Sequence, residues 1–132
     1  MDREIEKQNN EYLEIFVDDL LEAGLKQKTV KKHLSNVGFY INDFVLYHYE
    51  KGMKESCQSS YVSDFFGYYF IRKCMSTPST LKSTAASLKK FYKCMFEHGC
   101  LEEKEYKDFM KTVKDEMPFW IEECEEYNND LY

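Results

Sequence analysis

Apolar residues recur along this chain at steps of three and four, the spacing that lines one face of a helix. Tyr12, Leu13, Phe16, Val17, Leu20 and Leu21 mark a first stripe, and Gly24 stands where a helix stops, so a helix is predicted from about Ile5 to Ala23. Val30, Leu34, Val37, Ile41, Phe44, Val45 and His48 predict a second from about Gln27 to Glu50, before Gly52. Lys51 to Ser60 is polar and reads as a loop; Val62, Phe65, Phe66, Tyr69, Phe70 and Lys73 then outline a third helix, Ser60 to Met75, weakened by Gly67. Thr77-Pro78 is a strong start signal, because Thr caps a helix and Pro is pre-set for its first position. The fourth helix is therefore predicted over Pro78 to His98, ending at Gly99, with Leu81, Ala85, Leu88, Phe91, Tyr92 and Met95 inward. Tyr106, Phe109, Met110 and Val113 predict a fifth over Glu102 to Glu116, which Pro118 interrupts before a short sixth around Trp120, Cys124 and Tyr127. Nothing alternates with period two over a strand's length, so the expected fold is all-α, a helical bundle in which Val37, Ile41, Leu88 and Phe91 share one core.

Composition narrows the class. At 132 residues with 43% hydrophobic content the chain has the size and apolar content of a single-core domain. Its apolar runs are too short to span a bilayer, and the acidic N-terminus lacks the apolar stretch of a secretory signal, so no membrane partner and a cytoplasmic location are expected. Five cysteines at irregular spacing read as reduced thiols.

Charge is uneven. Residues 1–25 carry two basic and eight acidic groups, residues 97–132 four basic and twelve acidic, and the stretch between them twelve basic and four acidic. A basic centre thus lies between acidic flanks, within a net charge of −6. Lys28, Lys31, Lys32 and Ser35 lie opposite the apolar stripe of the second predicted helix. Lys82, Lys89, Lys90 and Lys93 do the same on the fourth, with the small residues Ser79, Ser83 and Ala86 leaving room for close approach. Lysines often do no more than solvate a helix face. Here the fourth helix has no acidic residue before Glu97, whereas a merely solvated face usually mixes Glu with Lys. Such a surface can track a phosphate backbone.

Candidate chemistry is sparse. Cys94, His98 and Cys100 are close in sequence but offer no C-x-x-C pair, and a fourth ligand such as Cys74 would have to come from afar, so no metal site is expected. His33 and His48 lack a Ser, Cys or carboxylate partner at a telling spacing and read as core or boundary residues. No phosphate-binding glycine loop is present, and no cofactor is expected. The aromatic series Tyr61 to Phe70 reads as core, with an excess available to a partner. Glu122, Glu123, Glu125 and Glu126 around Trp120 and Tyr127 suit a basic surface, on another protein, on a second copy or on this domain.

The second and fourth helices also resemble each other. A shift of 51 places aligns Thr29-Val30-Lys31 with Thr80-Leu81-Lys82, Val37 with Leu88 and Tyr40-Ile41 with Phe91-Tyr92. Shared periodicity alone produces part of this match; the Thr-Val/Leu-Lys start adds to it. These residues resemble the N-terminal core-binding (SAM-like) domain of tyrosine recombinases, the phage-integrase type. Tyr12-Leu13 and Phe16 match its first helix, Gly24-Leu25 through Thr29-Val30 its first signature, Ser79-Thr80-Leu81 with Leu88 to Tyr92 its second, and Gly99-Cys100-Leu101 its exit from the fourth helix. The resemblance covers about residues 10–101. It implies a four-helix SAM-like bundle over 1–101 with an acidic helical extension over 102–132 packed on it, and a grip on duplex DNA with the second and fourth helices towards the major groove. Lys28, Thr29, Lys31, Lys32, Ser35, Ser79, Lys82, Ser83, Lys89, Lys90 and Lys93 would make that contact. The family's catalytic Arg and His-x-x-Arg are missing, so Tyr127 and Tyr132 cannot be assigned as nucleophiles, and the expected function is a non-catalytic DNA-binding module in a recombination or integration context. The alternative is a protein-interaction domain that keeps the fold without the DNA contact.

Overall fold

The computed structural model describes residues 2–131, which form six helices and, among the described residues, no strand. Helix α1, Arg3–Glu22, opens on Asp2, whose carboxylate accepts from the N–H groups of Glu4 and Ile5 at 2.9 and 3.2 Å. It ends in a left-handed Gly24, where the amides of Gly24 and Leu25 return to the carbonyls of Leu21 and Leu20. Helix α2 runs without a break through Gln27–Gly38, a π-helical stretch Phe39–Leu46, and Tyr47–Tyr49. It stops at Glu50, which adopts φ 56° without being glycine. Gly52, expected as the stop, has an extended backbone.

The expected loop at 51–60 contains a short helix, α3, Met53–Ser56. Its anchors are tertiary. Asn9 Oδ1 accepts from the Met53 amide at 2.9 Å, Tyr40 donates its hydroxyl to the Ser56 carbonyl at 2.6 Å, and the Ser56 and Tyr92 hydroxyls meet at 2.5 Å. A polar sequence hides such a turn because polar atoms in the core hold it. Helix α4 joins Ser59–Asp64, a second π-helical stretch Phe65–Tyr69, and Phe70–Lys73. Helix α5, Pro78–Glu97, begins as its sequence foretold: Thr77 and Thr80 exchange bonds in a capping box, and Pro78 follows. It ends on Gly99 with the same glycine motif as α1, the amides of Gly99 and Cys100 reaching Phe96 and Met95.

Helix α6, Glu103–Leu131, corrects the expectation of two helices parted by Pro118. Phe109, Val113, Trp120 and Cys124 are buried on one stripe that passes Pro118 on its far side, so the proline faces solvent. The carbonyl it leaves unpaired belongs to exposed Lys114 and can bond water. Two aromatic contacts seat α6: Trp120 stacks on Phe66 of α4 with ring centres 4.9 Å apart, and Phe109 packs on Tyr92 of α5 at 4.6 Å. Val37 and Ile41 of α2 and Leu88 and Phe91 of α5 lie together in the core, fully buried. Among the described residues no helix is long and apolar enough to cross a membrane, and all five cysteines are free thiols.

Candidate nucleic-acid interface

Seven lysines of the basic stretch lie on two adjoining helices, α2 and α5. Helices α2 and α5 pack along their length, and a polar latch fixes their register: Ser87 Oγ accepts from Asn36 Nδ2 at 3.0 Å, donates to the Ser83 carbonyl at 3.2 Å, and lies 2.8 Å from His33 Nδ1. With its own proton committed to Ser83, this hydroxyl leaves Nδ1 as the donor of the third bond.

On either side of the latch the outer faces carry the expected residues. Lys28, Thr29, Lys31, Lys32 and Ser35 of α2 are exposed, as are Ser79, Lys82, Lys90 and Lys93 of α5, while Ser83 and Lys89 are half-buried. The structure brings Lys32, Ser35, Ser79 and Ser83 together in one groove of about 410 Å³, along with Asn36, Phe39, Asp43 and Thr80. It does not gather the full set there. Lys28, Thr29 and Lys31 stand on the first turns of α2, outside the groove, and Lys82 and Lys89 fall by helical spacing on the edge of α5 away from α2. Lys90 and Lys93 border a second hollow, shared with Asp19, Glu22 and Glu97. That end of the strip is mixed in charge, because α1 delivers acids that the sequence of α5 alone does not show.

Among the described residues none of these seven lysines sits in an ion pair; the lysine bridges all lie within α6, pairing Lys104 with Asp108, Lys107 with Glu103 and Lys111 with Asp115. Exposed pairs at that spacing contribute little stability but consume local charge, so Lys104, Lys107 and Lys111 are screened where the seven lysines of α2 and α5 are not. The field of the strip registers on His33. Partial burial first, then Lys90 and Lys32, hold its imidazole below the ordinary 6.5.

Sequence reading missed several participants. His33 was read as lacking a serine partner; that partner, Ser87, lies 54 residues away across the helix pair. His48, expected at the core or its boundary, is exposed against Phe44 and Tyr69, because the π-helical turns advance the phase and carry it off the buried stripe. Asp19 was not singled out at all, yet its Oδ2 lies 3.1 Å from Cys94 Sγ and 2.9 Å from His98 Nε2. Cys74 and Cys100 are not in that cluster.

Part of the aromatic surplus and part of the C-terminal helix are used internally. Arg72 lies over the rings of Tyr68 and Tyr127, at 4.9 and 5.2 Å, and so ties α6 to α4. Trp120 and Cys124 are buried, Glu122, Glu125 and Glu126 point outward, and Tyr132 lies outside the described residues. Set against protein-family models, curated proteins and solved structures, the chain matches none.

Proposed function

We propose that this chain is a non-catalytic DNA-binding module that grips the backbone of duplex DNA with α2 and α5, in the manner of a SAM-like core-binding domain of a tyrosine recombinase. One observation carries the reading: seven lysines on two latched helices are exposed or half-exposed and free of ion pairs among the described residues, and one of them, Lys32, borders a hydroxyl-lined groove between the helices. Phosphate oxygens are recognised by such lysines and by serine hydroxyls, and a rigid helix pair presents both in fixed register. The sequence resemblance supports the same two helices as the contact.

Cleavage has no support. The chain has two arginines, Arg3 and Arg72, and Arg72 is engaged by Tyr68 and Tyr127, so a tyrosine nucleophile would lack the cations that stabilise a pentavalent phosphate. A suicide DNA substrate should therefore give no covalent tyrosine adduct.

The test is a salt titration of duplex binding. About four phosphate contacts give a log–log slope of roughly −3 to −4. Replacing Lys28, Lys32, Lys89 and Lys93 with Gln should flatten the slope while changing unfolding little, because three of the four are exposed and Gln keeps most of the half-buried Lys89 stem. Undetectable duplex binding at low salt would instead favour a protein-interaction domain.

A further inference from the structure

We propose that Asp19, Cys94 and His98 form a zinc-type divalent-cation site that clamps the C-terminal end of α1 to that of α5. The three bring oxygen, sulfur and nitrogen donors to one point from two helices, with their ligand atoms all within 4.8 Å of one another. That mixture suits borderline-soft zinc, which takes carboxylate, thiolate and imidazole together, and does not suit calcium or magnesium, which take oxygen alone. The spacing is close to what the ion needs. Tetrahedral bonds of about 2.0–2.3 Å hold neighbouring ligand atoms about 3.3–3.6 Å apart. The observed separations from Asp19 Oδ2 are 3.1 Å to Cys94 Sγ and 2.9 Å to His98 Nε2, so on these two edges the donors need to spread by only a few tenths of an ångström, while the edge from Cys94 Sγ to His98 Nε2 lies within 4.8 Å.

The backbone preorganises this set. Cys94 and His98 stand one helical turn apart at the end of α5, and Asp19 stands one turn before the end of α1; both ends are held by glycine caps, at Gly99 and Gly24. Two helix C-termini converge there, and their partial negative charge favours a cation. The thiol is buried at 5% exposure, while Asp19 and His98 side chains remain 38% and 42% exposed and leave an approach for the ion. Binding displaces the Cys94 proton to solvent, and the carboxylate and thiolate then neutralise the divalent charge. Asp19 and Cys94 also border the hollow of about 470 Å³ that contains Glu22 and Glu97, which offer carboxylates for a fourth position, beside Lys90 and Lys93.

The site adjoins Lys90 and Lys93 of the basic strip, but its test needs no DNA. The metal-free full chain, kept reduced with a non-thiol reductant, is titrated with Co²⁺ and then with Zn²⁺. We expect one cobalt per chain, tetrahedral visible bands and a sulfur-to-cobalt charge-transfer band, all bleached by zinc. Zinc at a hundredfold excess over its Kd should raise Tm by roughly 10 °C. Cys94→Ser should abolish the charge-transfer band, and Cys100→Ser should retain it. Asp19→Asn, at a half-exposed position that does not threaten folding, should weaken cobalt binding by at least about tenfold. No charge-transfer band in the full chain, a band that survives Cys94→Ser, or undiminished affinity in Asp19→Asn would overturn the proposal.

Discussion

A side chain on Gly67 would press on the indole of Trp120: a Cβ placed there meets its Cδ1 at 3.3 Å and Nε1 at 3.4 Å. The ring has no room to yield, being fully buried and stacked on Phe66. Alanine would favour the helix by about 0.5–1 kcal/mol, yet overpacking against a fixed ring costs about 1–3 kcal/mol. We therefore expect Gly67→Ala to be destabilising by about 1 kcal/mol in denaturant unfolding, and Trp120→Ala by about 3–5 kcal/mol through the cavity it leaves. Glu50 presents the opposite case. Its left-handed φ of 56° costs an ordinary residue about 1–2 kcal/mol, more than the chain entropy a glycine adds there. Glu50→Gly should raise stability by about 0.5–1 kcal/mol, measured the same way.

Helix α2 carries a pH-dependent element in His33. Its imidazole titrates below 6.5 in the folded chain, so the unfolded chain takes up a proton first as pH falls. Stability should therefore drop as pH falls through 6.5, with the loss complete below the folded value, and His33→Gln should flatten that segment of a stability–pH curve. Bound phosphate reverses the field that Lys90 and Lys32 impose. If α2 and α5 hold DNA, duplex affinity should rise as pH falls through the same window, and His33→Gln should abolish that gain. The π-helical stretches in α2 and α4 matter on this scale as well. In them Phe44, Val45 and Leu46 are buried in succession over a narrower arc than a 3.6-residue period would give.

Across the whole molecule, acidic α6 and the basic strip share α5 as a common support. Ser87 contacts α2, whereas Tyr92 and Phe96 pack on Phe109 and Tyr106 of α6. Deleting the last sixteen residues to unmask the strip would remove Trp120 from the core, so the informative change keeps the helix and removes its charge. Glu122, Glu125 and Glu126 are exposed, and converting all three to Gln should tighten duplex binding at low salt, with the difference vanishing as salt screens it. Unchanged affinity would show that the α6 carboxylates do not act on the strip.

Helix existence, the capping of α5 at Thr77-Pro78, the glycine exits of α1 and α5, and the burial of Val37, Ile41, Leu88 and Phe91 were all legible along the chain. They rest on periodicity and on interactions between residues a few positions apart, and the lysine faces were visible for the same reason. What escaped was long-range or depended on phase. The α3 turn is held by Asn9, Tyr40 and Tyr92 from three other helices. Pro118 is tolerated because its side of α6 faces solvent, a side that only the packing of Trp120 against Phe66 and Gly67 defines. The Ser87 latch and the Asp19–Cys94–His98 cluster join residues 51 to 79 positions apart. No local pattern specifies such a meeting, since it is decided by which faces of α1, α2 and α5 are pressed together when the core closes.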